Sequence, residues 1–368
     1  MQIPFGEWLP DQPDHGKQGA NVANNVYYAA NTYKRFPSLV SYSGSSTVAK
    51  DSRAAGSFRD NSNTVYNFVA TRTNIYQLTS GAFTSRKASL TGDHDDFWTF
   101  TQFGEYVIAS NGVDQPQYYL MGTSTNFANL SAIATGNPVF RVSGVVRDFL
   151  VTGNITNATN RIQWSGINDI TTWTAGTSQS DSQDLPGSGG QVVHITSGEV
   201  GYVFRQNQIV RMDYVGGNTV FRLSVISPNR GAMYGRTVCQ DNRQIFFYAD
   251  DGFYQINGDH VIHIGVEKVN RFFDLDLNKA YSDRICAAVD PFNQLAMWLF
   301  PSTANTTNTT GICDKIIIYN YYILYCKIYN LYIRNILWKI TFINIYAIST
   351  FSTWNFYFIV IPKFFIIS

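Results

Sequence analysis

The sequence predicts an all-β fold, a β-propeller of about six to seven blades behind an extended N-terminal arm. Three observations predict it. A strand-turn-strand unit recurs at Val65–Leu78, Tyr106–Tyr119, Phe149–Ser165, Gly201–Tyr214 and Ile245–Gly258, with a looser copy from Leu295 to Tyr322. Each is an apolar run, a polar turn and a second run. Successive starts lie 41, 43, 52, 44 and 50 residues apart, and a period of about 40–50 residues with several strands per repeat marks a propeller. Charged residues are only 14% of the chain, against 28 Gly and 23 Tyr, a balance that suits strands and turns rather than helices.

The chain divides into three stretches. Residues 1–56 form the arm and a lead-in strand, because Pro4, Pro10, Pro13 and Pro37 interrupt regular ladders. The arm's Phe5, Trp8, Phe36 and Leu39 need a surface to pack on, either the chain's own propeller or a neighbouring subunit. Residues 57–322 hold the six strand-rich units. Within them, Ser178–Gly190 is polar and glycine-rich and reads as an exposed excursion. Gly265–Ile285 carries Val266, Val269, Phe272 and Phe273 at helical spacing, which predicts a short helix.

Residues 323–368 are a different material. The last 54 residues hold 15 Ile, 8 Tyr and 6 Phe but no Gly, Gln, Asp or Glu. These favoured residue types share A- and T-rich codons, so the native reading frame is expected to be lost soon after Tyr321. Such a tail cannot complete the sixth repeat, leaves the propeller incompletely closed, and exposes apolar, aggregation-prone surface. The uncharged stretch 340–362 is long enough to cross a bilayer, but seven Ser, Thr and Asn residues make it a poor apolar span, and no membrane partner is expected.

Charge divides at the same place. Through Asp314 the chain has 22 basic and 26 acidic residues, a net −4; beyond it, five basic residues stand alone. A generic basic DNA-binding face is therefore not supported. Cys239, Cys286, Cys313 and Cys326 form no C-x-x-C pair and read as free buried thiols. The opening MQIPFGEWLPDQPD has neither a basic region nor an apolar core, so no signal peptide is expected.

A search for chemistry finds turns. His260 and His263 stand i,i+3 on a strand and face opposite sides, so they do not ligate one metal together. His94-Asp95-Asp96, Asn111-Gly112 and Asp250-Asp251-Gly252 are turn sequences. Asp148, Asp169, Glu199 and Asp213 could serve a glycosidase only as a close pair, and spacing cannot pair them. No GxSxG, HExxH, Walker or dinucleotide motif is present. No catalytic residue, metal site or cofactor is assigned, and the chain is not expected to be an enzyme.

Residues spread along the chain resemble one family. Phe5-Gly6-Glu7-Trp8-Leu9-Pro10-Asp11-Gln12-Pro13 and Arg35-Phe36-Pro37 look like the start of the tail-hub, packaged-DNA stabilisation proteins of short-tailed phages. The likeness continues at Asn111-Gly112-Val113-Asp114 and Val146-Arg147-Asp148-Phe149. It is densest from Gln163 to Asp169, with Trp173 and Gln183-Asp184-Leu185-Pro186 following. It returns at Gly198–Tyr202, Ala249–Phe253 and Ala287–Pro291. Ser38 stands where the family often has Gly, and the tail beyond Tyr322 has no counterpart.

The resemblance implies a virion component at the head–tail junction, made in the host cytoplasm. It would form a ring homo-oligomer, such as a hexamer, that retains packaged DNA and joins portal and adaptor to distal tail parts. DNA would be a partner only by passage or plugging, past a mildly acidic channel. Interface candidates are Phe5, Trp8 and Phe36 in the arm and Asp181, Asp184 and Leu185 in the 178–190 segment. Trp164 and Trp173 read as structural, given their apolar area. The alternative is a tail propeller that binds or hydrolyses glycans.

Overall fold

A computed structural model of the chain describes residues 6–15, 19–20, 22–29, 32–36, 48, 52–93, 96–217, 219–303, 311–321 and 328–332, the last of these as backbone. The chain has an all-β propeller fold with six blades, the lower of the two numbers the repeat predicts. Each blade is a four-stranded antiparallel sheet with strands in sequence order. The blades fall into two compact units, residues 43–235 and residues 1–42 with 236–368.

The first unit holds four blades. Blade one is Ser52–Arg59, Val65–Thr71, Ile75–Thr79 and Ala82–Lys87. It begins at Ser52, five residues earlier than the boundary read from sequence. Blade two is Thr99–Phe103, Tyr106–Ser110, Gln117–Leu120 and Ala128–Asn129. Blade three is Phe140–Val146, Phe149–Ile155, Ala158–Trp164 and Asp181–Asp184. Blade four is Val192–Ile195, Val200–Arg205, Ile209–Tyr214 and Phe221–Ser227. The recurring hairpin of the sequence is the pair of middle strands in every blade.

Apolar side chains from facing blades make the cores. Phe68, fully buried, meets Tyr119 and Phe127 with ring centroids 5.0 Å away in each case. Between blades three and four, Phe221 sits edge-on to Phe149 at 5.1 Å and to Trp164 at 5.2 Å. Such offset and edge-to-face pairs add to the area they bury. Two glycines set how closely blades three and four approach. A Cβ on Gly144 would lie 2.7 Å from the Ile195 carbonyl oxygen, and one on Gly201 would lie 2.5 Å from Val146.

His194 on blade four gives this unit a pH dependence. Burial pushes its imidazole pKa down to about 4, against a smaller opposing effect from its hydrogen bond with the Gly235 backbone. The folded state then resists a proton that the unfolded chain accepts near pH 6.5. The unfolded state therefore binds more protons between these values, and stability falls as pH drops from about 6.5 to about 4. Denaturant midpoints measured across that range should decline, and His194→Gln should flatten the decline; an equal slope in the variant would assign it elsewhere.

The second unit holds blades five and six. Blade five is Cys239–Asp241, Gln244–Ala249, Gly252–Asn257 and His260–His263. Blade six is Cys286–Asp290, Leu295–Phe300, Lys315–Asn320 and Ile328–Tyr332. Between them run a helix, Asn270–Asp276, and a 3-10 segment, Lys279–Arg284. The helix agrees with the spacing of Val269 and Phe273, which are both buried, whereas Val266 precedes it and is exposed. No helix among the described residues is long and apolar enough to cross a membrane.

Two sequence expectations change here. Ile328–Tyr332 pairs with Lys315–Asn320 from Lys315↔Tyr332 to Tyr319↔Ile328, so the tail's backbone does supply the sixth blade's fourth strand. A ladder needs only backbone groups and β-prone residues, and Ile and Tyr qualify. The rest of the tail lies outside the described residues. The arm, expected to lack ladders, contains two: Gly6–Trp8 pairs with Gly19–Ala20, and Val26–Ala29 with Thr32–Arg35. Pro10 and Pro13 fall between these strands rather than in them.

Candidate interaction surface

The arm is held by its own unit. The first N–H groups of a helix have no partner within it. At helix Asn270–Asp276, the Asp11 carboxylate accepts from the backbone N–H of Arg271 and of Phe272, both at 2.8 Å. Asp11 N in turn donates to the Lys268 carbonyl at 3.2 Å. Beside this cap, Lys268 pairs with Glu7 at 3.3 Å, and the Trp8 ring meets Phe272 edge-on with centroids 5.1 Å apart. Tyr33 donates its hydroxyl to the Gly6 carbonyl at 2.8 Å, tying the hairpin to the first strand.

The hairpin covers one face of blade six. Phe36 packs with Cys286, Leu295, Met297, Leu299, Ile316 and Ile318, and Tyr27 and Tyr33 lie against them. Trp8 and Phe36 are thus buried at 3% and 8% exposure within this chain. That burial corrects their reading as anchors for a neighbouring subunit. Phe5 lies outside the described residues. Cys239, Cys286 and Cys313 are buried and in no disulfide; burial pushes the Cys286 thiol up to about 11, which keeps it protonated and unreactive at neutral pH.

The 178–190 segment is also less of an excursion than its composition implies. Asp181–Asp184 is the outer strand of blade three, paired with Arg161–Trp164. Leu185 is 1% exposed in the core between blades three and four, so it offers nothing to a partner. Asp181 is half-buried, and its Oδ1 accepts from Ser182 N at 2.8 Å. Asp184 is exposed, and Arg161 grips it with two hydrogen bonds of 2.6 and 3.0 Å. That guanidinium holds the Asp184 carboxyl below its ordinary range. Of the five candidates among the described residues, Asp184 is the one left exposed.

Arg205 closes the segment from below. Its guanidinium donates to the carbonyls of Pro186, Gly187 and Gly190 at 2.7, 3.2 and 2.9 Å, and to Gln208 Oε1 at 2.7 Å. The residue is 1% exposed. The tryptophans clamp turns as their area suggests: Trp164 Nε1 donates to the Gln179 carbonyl at 2.8 Å, and Trp173 Nε1 to that of Ile170 at 2.7 Å.

Three of the four carboxylates weighed for glycan chemistry, Asp148, Asp169 and Asp213, have local partners. Burial alone would raise the Asp169 carboxyl, but hydrogen bonds from Thr171 and Thr172 outweigh it and hold the group below its ordinary range. Asp213 binds Arg211 at 2.8 Å and approaches Arg222 at 3.7 Å. Asp148 approaches Arg147 at 3.7 Å.

One surface residue escaped the sequence reading. Asp290 accepts from the backbone N–H of Phe292 and Asn293 at 3.0 and 3.1 Å and from the Asn293 side chain at 2.7 Å. This fixes the turn Asp290-Pro291-Phe292-Asn293 and presents Phe292 at 65% exposure. The signal was an aromatic residue just after Asp-Pro in a turn, where no core position calls for one.

No family model matches the chain, and no curated protein is similar to it in sequence. Among solved structures it is similar to a chain of the mitotic checkpoint complex, at 10% identity over 77% of this chain and 80% of that one, with a TM-score of 0.44. It is also similar to BamB from Moraxella catarrhalis, at 12% identity over 74% of each chain and a TM-score of 0.41. A third is U3-55K, at 8% identity over 78% and 83%, with a TM-score of 0.45.

Proposed function

We propose that this chain is a structural protein of the virion, a tail hub at the head–tail junction of a short-tailed phage. In this reading it assembles as a ring, retains packaged DNA, and joins portal and adaptor to distal tail parts. One observation carries the reading: the residues that resemble the tail-hub family hold the frame. Trp8 and Asp11 fix the arm; Asn111 accepts from the N–H of Val113 and Asp114. Ser165 accepts from the Leu150 N–H and ties the end of blade three's third strand to its second, Asp169 fixes the following turn at Thr171, Trp173 clamps the next, and Asp290 shapes the Phe292 turn. A pattern spent on internal hydrogen bonds suits a part whose work is geometric, where neighbours meet in heterologous, ring-closing contacts.

Peptide mass spectrometry of purified phage particles tests this. Peptides from residues 1–314 should appear in intact virions. Their absence from well-sampled particles would overturn the assignment and turn attention to the glycan-directed alternative.

Phe292 is the contact residue to test alongside it. A rigidly held exposed aromatic is a good anchor, because little motion is lost on binding. Phe292→Ala should leave thermal stability within about 0.5 kcal/mol and weaken assembly by about 2 kcal/mol, read by native mass spectrometry over a concentration series. Unchanged assembly would place the contact elsewhere.

A further inference from the structure

The chain carries two Asn-Gly pairs, Asn111-Gly112 and Asn257-Gly258. In such a pair the glycine nitrogen can attack the asparagine side chain, because no Cβ on the second residue blocks the approach. Both pairs read as turns, and sequence alone gives them the same reactivity. The fold separates them.

Asn111 is fully buried. Its Nδ2 donates to Asp114 Oδ2 at 2.8 Å, and its Oδ1 accepts from the N–H of Val113 and of Asp114 at 3.0 and 2.9 Å. Gly112 lies against Arg141, whose Cβ is 3.0 Å from where a Gly112 Cβ would stand. The Asn111 side chain must give up all three bonds before its Cγ can meet the Gly112 nitrogen.

Asn257 ends the third strand of blade five, and Gly258-Asp259 turn the chain into the fourth strand at His260. The ladder closes on the pair Asn257↔His260. Gly258 has φ +61°, as the first residue of a tight hairpin turn often does. Residues Asn257, Gly258, Asp259 and His260 are all exposed. Nothing stands within 4 Å of the Gly258 Cβ position. Water reaches this side chain, and ammonia leaves it, without opening the blade.

We propose that Asn257 is a site of spontaneous deamidation and isoaspartate formation, and that the fold shields Asn111 from the same reaction. The Gly258 nitrogen loses its proton to base and bonds to Asn257 Cγ. The Cγ–Nδ2 bond breaks, and Nδ2 takes protons from water and leaves as ammonia. Water then opens the five-membered imide at either carbonyl, so one water is consumed for each ammonia released. One product is an ordinary aspartyl residue. The other is an isoaspartyl residue, whose backbone runs through Cβ and Cγ. Both place a new carboxylate next to Asp259. The isoaspartyl link also lengthens the strand end by one atom, and an insertion in one strand disrupts the ladder locally. The fourth strand has only four pairs, from Tyr254↔His263 to Asn257↔His260, and loses the last of them. The edge of blade five is therefore the part of the chain that ages.

Incubation of the full chain in mildly alkaline buffer, sampled over weeks and read by peptide mass spectrometry, tests the site. The Asn257 peptide should gain one mass unit about 10-fold faster than the Asn111 peptide, or more, because a buried amide reacts only through local opening. In denaturant the two peptides should convert at similar rates. Asn257→Gln should abolish the change in its peptide and leave the Asn111 peptide as before. Amide exchange in the aged chain should rise at His260–His263. An Asn257 that converts no faster than Asn111 in the folded chain would overturn the site. A preference for Asn257 that persists unchanged in denaturant would overturn the shielding by the fold. Unchanged exchange at His260–His263 after conversion would overturn the loss of the strand pair.

Discussion

Replacing Arg205 with methionine should lower the stability of the four-blade unit by about 3 kcal/mol. Methionine keeps much of the apolar stem but removes every donor. The carbonyls of Pro186, Gly187 and Gly190 and the Gln208 side chain then lose the group that satisfies them. Pro186 and Gly187 are exposed, so water can reach their carbonyls, whereas Gly190 and Gln208 are half-buried; each buried acceptor left without a donor costs about 1–3 kcal/mol, which puts the loss at the upper end of ordinary point-mutation effects. No carboxylate is among the four acceptors, so the fold holds this charge with neutral dipoles alone. Arg205→Lys should fall between the two, because an ammonium keeps the charge but cannot span the guanidinium's fork. Gly189→Ala should also destabilise, since its Cβ would lie 2.8 Å from the Arg205 guanidinium carbon. Denaturant titration checks this: the midpoint should fall with an unchanged slope. A loss below about 1 kcal/mol for Arg205→Met would mean that water replaces the guanidinium and the segment is more open than its burial indicates.

Arg205 also marks the limit of what the sequence discloses. Its strand, within Gly201–Tyr214, was legible because a middle strand of a blade is buried on both faces and reads as an apolar run. The three carbonyls it serves lie 15 to 19 residues earlier, in a stretch of Ser, Asp and Gly that reads as a free loop. Asp181–Asp184 pairs through its backbone while its polar side chains face outward, so periodicity carries no trace of it. Leu185, a lone apolar residue in that polar stretch, was the available sign of packing. The outer strands share this concealment: Ala128–Asn129 has two residues and His260–His263 four. The hydrogen bond from Tyr254 to Asp251 stayed hidden for another reason: it joins a strand to a turn, and no local pattern announces it.

Trp8→Ala should destabilise the two-blade unit by about 3–5 kcal/mol, the range for removing a buried aromatic side chain. The sequence left two surfaces open for this residue, the chain's own propeller and a neighbour. The structure places it against Phe272, between the Glu7–Lys268 pair and the Asp11 cap. A strap of this kind acts within one chain, so the loss should appear in dilute solution and be independent of protein concentration. Asp11→Ala should cost less, about 1 kcal/mol, as removal of a helix cap does. Amide exchange separates the two contributions. Asp11→Ala should expose chiefly the N–H groups of Arg271 and Phe272, which the carboxylate holds directly. Trp8→Ala should speed exchange across the whole helix Asn270–Asp276, because it removes packing rather than one acceptor. If either effect appeared only at concentrations where the chain assembles, the arm would be a contact between subunits. Trp8 would then be an interface residue after all, exchanged onto the same docking surface of a second copy.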